Sequence, residues 1–160
     1  MRRRPFVLSM IAAALPAASV PLARAHHGWS SFDQSRPLYL EGTAARVRWR
    51  NPHAELDLDV EPGLRLPADL ATRTVPAQAA PVDGPALLRA AQLPVRRDRR
   101  WLVELAPLSR LEAWRVPEPK PGERLAVVGF TFTGEKGDAV LRAEYLFLGG
   151  TVFGLRSSPA

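Results

Sequence analysis

The chain of 160 residues contains no cysteine. That excludes disulfides, thiolate metal centres, iron–sulfur clusters and cysteine nucleophiles, so a folded domain here has to hold together by its core. Histidine is scarce: His26, His27 and His53 are the three in the chain, and Asn51 is the one asparagine. Catalytic signatures are missing too. There is no nucleophile elbow, phosphate-binding loop, dinucleotide fingerprint or HExxH helix. No histidine outside those three is left to serve a serine as its base. These absences argue against a hydrolase and against turnover generally. Beyond residue 25 there is no second long apolar segment, so the chain after that point is not expected to be an integral membrane protein.

Positive charge is abundant but unevenly placed. Residues 1–25 open with Arg2, Arg3 and Arg4, continue with an apolar run over 6–15, and end in Ala23-Arg24-Ala25. A basic start, an apolar stretch too short to span a bilayer and a small-x-small site describe a cleaved export signal. Arg3-Arg4-Pro5-Phe6-Val7 partly resembles a twin-arginine signal, and an ordinary basic leader fits as well. Cleavage after Ala25 places the mature protein in the periplasm or outside the cell. Four of the 22 basic residues lie in this leader and no acid does, which leaves 18 against 16, a net charge of +2. The high isoelectric point is therefore mostly a property of the leader, and no nucleic-acid partner is expected.

Residues 26–160 read as a single β-rich domain. Residues 26–36 form a polar arm with two aromatics, Trp29 and Phe32. Residues 38–50 have long β character broken by Gly42, which suggests a bulge or bend. Asn51-Pro52 is a turn signal. Residues 53–60 alternate, with Ala54, Leu56, Leu58 and Val60 on one face and His53, Glu55, Asp57 and Asp59 on the other, the pattern of a half-buried strand. A Pro/Ala/Arg-rich stretch over about 62–99 has no continuous period, although 86–92 suits two helical turns. It reads as a loosely ordered surface insertion on which little core depends. Strands follow over 101–105, 124–133 and 139–148, with a helix over 107–114 and a short strand over 151–155. The order strand, strand, insertion, strand, helix, strand, strand matches an all-β, five-stranded OB-like barrel with one short helix. A plain β-sandwich is the competing architecture.

The opening His26-His27, Phe32-Asp33, Gly42-Thr43 and Trp49-x-Asn51-Pro52-His53 together resemble a family of small exported bacterial proteins that is classed as a domain of unknown function. Lys120-Pro121-Gly122-Glu123 and Leu141-Arg142-Ala143-Glu144 fit the same pattern. The resemblance implies an OB-like fold and an exported location, and it implies no activity. The chain departs from the pattern in its insertion over about 63–99 and in Glu55, where an aromatic is usual.

Chemistry concentrates at the histidines. Cleavage after Ala25 gives His26 a free α-amine of pKa near 8, and amine plus imidazole can chelate one ion. His27 adds its amide and imidazole, and His53 a further imidazole if the arm folds back. Nitrogen-rich tetragonal sites suit copper. The same residues also read as a solvated end and a turn residue. Glu55, Asp57 and Asp59 opposite Arg46, Arg48 and Arg50 read as a wet face held by cross-strand ion pairs. Trp29, Trp49, Trp101 and Trp114 read mainly as core, with Trp29, Trp49 and Asn51 as weaker candidates for a ligand-binding aromatic face. Arg96-Arg97-Asp98-Arg99-Arg100 reads as a solvated loop end. Three readings remain: a copper-class binding domain, a metal-free OB-like interaction or ligand-binding module, and a copper-dependent oxidase or oxygenase.

Overall fold

The computed structural model describes residues 28–160. Its strands are β1 (Leu38–Arg48), β2 (Glu55–Val60), β3 (Arg100–Glu104), β4 (Arg124–Phe130), β5 (Val140–Leu148) and β6 (Thr151–Gly154). Its helices are α1 (Gly84–Ala90), inside the insertion, and α2 (Leu108–Ala113), between β3 and β4.

Five strands close into a barrel. β1 pairs antiparallel with β2 and with β4, β2 with β3, and β4 with β5. A short parallel pairing of β3 with β5, from Leu102↔Val140 to Glu104↔Arg142, completes the ring. This is the connectivity of an OB barrel, with α2 at the position expected between the third and fourth strands. β6 lies outside the ring. It pairs with β5 from Tyr145 to Leu148, where β3 no longer covers that edge.

Gly42 stays inside the paired part of β1. A Cβ there would collide with the carbonyl of Asp59 on β2, so glycine permits the close backbone approach. The bulge anticipated at Gly42 falls just after it, between Ala44 and Arg46. The barrel interior is filled by Leu38, Leu40 and Ala44 from β1, Leu56 and Leu58 from β2, Trp101 and Val103 from β3, Leu125 and Val127 from β4, and Leu141 and Leu146 from β5. Leu111 of α2 plugs into the same cluster.

The insertion corrects the sequence-based expectation. It is not a loose excursion, and core depends on it. Leu70, Leu88 and Ala91 are buried against Tyr39, Ala126, Val128 and Tyr145, on the outside of β1, β4 and β5. Asp83 caps α1 by accepting from the Ala86 N–H at 2.9 Å, and Pro85 occupies its first turn. Gln92 exchanges backbone bonds with Pro37 and Tyr39 at the start of β1. The contacting residues are irregularly spaced, so no helical or strand period betrays them. A signal did exist on the other side of the contact: β4, RLAVVGF, is buried at every position after Arg124, and a strand apolar on both faces needs a cover on both.

Candidate functional site

The arm preceding β1 is pinned to the outside of the β3–β5 seam. Trp29 lies in a single 3-10 turn (Trp29–Ser31). The Arg156 guanidinium sits 3.8 Å from its ring centroid and that of Arg142 sits 5.4 Å away, both at cation–π distance. Trp29 also meets Phe130 edge-on at 6.3 Å. Phe32 is buried and stacks on Phe132 at 5.1 Å, and the Asp33 N–H donates to the Thr131 carbonyl. Two aromatics therefore give the arm an apolar reason to lie down, and two arginines hold it there.

One of those arginines, Arg142, belongs to a charged row across the barrel. In register, Arg48 of β1 opposes Glu55 of β2, Glu55 opposes Glu104 of β3, and Glu104 opposes Arg142 of β5. Arg48 donates to Glu55 at 3.0 Å and to Asp57 at 3.1 Å. Arg142 approaches Glu104 to 2.9 Å, with both side chains nearly buried. Arg100 pairs with Asp59 further along β2. The acidic row on β2 is thus matched by Arg46, Arg48 and Arg100, as expected for a wet face held by ion pairs, with β3 supplying a cation the sequence reading had assigned to a loop end. Hydrogen bonding to Arg100 holds the Asp59 carboxyl below its ordinary value.

Beside the row lies a second network. Glu144, fully buried, accepts from Gln78 of the insertion at 2.9 Å and from Arg156 at 2.7 Å. Arg110 of α2 donates to the Leu155 carbonyl. Burial, then the neighbouring Arg142, pulls the Arg110 guanidinium below its ordinary value. Arg156 thus links the barrel, the insertion and the arm: its guanidinium donates to Glu144 and Gln34, and its backbone N–H donates to the Gln78 side-chain oxygen Oε1.

The sequence-predicted site residues fall as follows. His26 and His27 lie outside the described residues. His53 is half-buried in the β1–β2 connection, after a cis Asn51–Pro52 bond and two residues before β2. Ala54, Leu56 and Leu58 point inward, so His53 continues the outward set of Glu55 and Asp57. The Asn51 side chain accepts from the Leu108 N–H at 3.3 Å, tying the connection to the start of α2. Trp29 is half-buried on the β5 side, whereas Trp49 packs on the barrel core just beyond β1. Trp101 is fully buried, and Trp114 donates its indole N–H to the Ser157 carbonyl at 2.7 Å. Trp49, Trp101 and Trp114 thus belong to one barrel-core cluster, and Trp29 to a separate one with Phe32 and Phe130. Sequence reasoning missed Glu104, Glu144 and Arg156. For Glu104 and Glu144 the available signal was a charge inside an apolar strand, which needs a partner; Arg156, past the end of β6, carried none.

Among the described residues, no three His, Asp or Glu side chains converge to hold a metal ion. Among the same residues, no helix is long and apolar enough to cross a membrane.

Residues 14–64 match a family of unknown function (DUF6152). The matched segment contains the arm, the whole of β1 and the Trp49-x-Asn51-Pro52-His53 motif. The resemblance to an uncharacterised family therefore holds over this segment, which is less than half of the chain. Neither a curated protein nor a solved structure matches the chain.

Proposed function

We propose that the protein is an exported binding domain that holds one copper-class ion through His26, His27 and His53, in a role of metal handling rather than turnover. One observation supports this reading: the arm is fastened at Trp29 beside an ion-pair row whose far end neighbours His53. Trp29, two residues after His27, is held by Arg142; Arg142 pairs with Glu104, whose neighbour in register is Glu55, two residues from His53. Cleavage after Ala25 would add the His26 α-amine to the donor set, and nitrogen-rich donors suit Cu(II).

The test is a Cu(II) titration of protein beginning at His26, followed by electron paramagnetic resonance. One equivalent should bind with a tetragonal, nitrogen-dominated spectrum. Affinity should fall as pH drops through the imidazole range near 6.5, because protons compete for the same nitrogens. One extra residue before His26 should weaken binding by about tenfold or more, and His53→Ala should weaken it less. Equal binding by the mature and extended proteins removes the amine from the site. No effect of His53→Ala leaves only a chelating chain end and sinks the folded site.

A further inference from the structure

We propose that the junction of the insertion and the barrel is a binding site for an amphipathic monocarboxylate, a molecule with one carboxylate and an apolar body. This site lies at the β2–insertion–β3 junction and does not depend on the metal reading.

A cavity of about 600 Å³ opens there, between the end of β2 and the start of β3. That volume lies within the range of small-molecule sites. Its walls are mostly apolar: Val60, Pro62 and Leu64 on one side, Leu93 and Pro94 on the other, with Trp101 beneath. The insertion creates it, since a short β2–β3 hairpin would lack Leu93, Pro94 and the arginine run that follows.

The polar groups around this cavity do not balance. The acids of the lining are already engaged: Asp98 accepts twice from Arg96, and Glu61 accepts from Arg124. Arg96 is spent as well. It is held by Asp98 and by the carbonyls of Glu135 and Gly137, with its guanidinium 5.4 Å from the Trp101 ring centroid. Arg97 and Arg99, both exposed, line the cavity, and among the described residues neither has a carboxylate at ion-pair distance; Asp59, which lies within the electrostatic reach of Arg99, is already taken by Arg100. The Trp101 indole N–H is buried and lacks a hydrogen-bond partner among the same residues. Unmatched groups of the lining are therefore donors, two of them cationic, around an apolar hollow. Such a surplus selects an anion that can accept hydrogen bonds, and guanidinium forks suit a carboxylate in particular. The apolar walls select the rest of the ligand and disfavour a small, fully hydrated anion such as phosphate.

Decanoate is the probe, titrated into the full-length mature chain in the presence of EDTA and read by calorimetry. Decanoate should bind with one-to-one stoichiometry, and decylamine and inorganic phosphate should not compete. The Arg97→Gln/Arg99→Gln double variant should lose about tenfold or more in affinity, the scale of charged hydrogen bonds removed. Both arginines are exposed, so the variant should keep the wild-type melting temperature. Equal affinity for decanoate and decylamine, or an unchanged affinity in the double variant, overturns the proposal.

Discussion

The outside of the barrel has two regions built from the same strands but finished in different ways. Along β2 and the second half of β1, Arg46, Arg48, Glu55, Asp57 and Asp59 meet water and satisfy each other by cross-strand ion pairs. Along β4, β5 and the first half of β1, Tyr39, Ala126, Val128 and Tyr145 lie beneath Leu70, Leu88 and Ala91 of the insertion. β1 belongs to both regions. Its outward residue is Tyr39 at one end and Arg48 at the other. The difference shows that this barrel is not a generic scaffold with a decorative loop. One flank has traded a hydrated surface for a second hydrophobic layer, and the chemistry of its outward residues follows the cover they have.

The largest expected effect comes from stripping the cover. Replacing residues 65–94 by a short Gly/Ser linker should expose Tyr39, Val128 and Tyr145 and cost more than about 5 kcal/mol, enough to abolish cooperative unfolding in a marginally stable domain. The single substitution Leu88→Ala should cost about 2–4 kcal/mol by urea denaturation, the range for a buried leucine that leaves a cavity. A melting temperature unchanged by the linker would mean the two flanks are equivalent and the second layer adds nothing.

A smaller effect should come from the clamp that closes the insertion. Glu135, at the β4–β5 turn, accepts from the N–H groups of Val95 and Arg96 and pairs with Arg36. Burial alone would raise its carboxyl, but those two backbone bonds and Arg36 outweigh it and hold the group below its ordinary 4.5. A depressed folded-state value contributes stability that is present above 4.5 and is lost as pH falls through the folded value. Glu135→Gln should therefore lower stability at pH 7 by about 2 kcal/mol and flatten the acid limb of a stability–pH profile below about pH 5. A variant with the same acid limb as the parent would place the acid sensitivity elsewhere.

The smallest effect belongs to the wet flank. Arg46→Ala removes an ion pair to Asp57 at 3.9 Å, and with the Arg46 side chain 74 % exposed it should cost about 1 kcal/mol or less, decreasing further in salt. Measuring Leu88→Ala and Arg46→Ala by the same chemical denaturation sharpens the contrast. A ratio near one would undo it.

Much of the barrel was legible because its strands carry local signals. Alternation in β2 set the buried face, with Leu56 and Leu58 inside and Glu55 and Asp57 outside. Gly42 pointed to a bulge, which falls just after it between Ala44 and Arg46, and Pro107 together with Leu108 and Leu111 marked α2. The cross-strand pairing of Arg48 with Glu55 followed from two alternating rows joined by one turn. The candidate site was legible only in part: the position of His53 after Asn51-Pro52 could be read, while the seat of the arm on Arg142 and Arg156 could not.

What the sequence by itself determined is therefore local: the strand order, the inward face of each amphipathic strand, the helix between β3 and β4, and the absence of thiol chemistry. Tertiary structure alone decided the parallel β3–β5 closure, the docking of an aperiodic insertion on β4, and the burial of Glu144 between Gln78 and Arg156. The physical reason is separation along the chain. Periodicity reports the environment of neighbouring residues, whereas these contacts join residues many positions apart whose spacing obeys no helical or strand period.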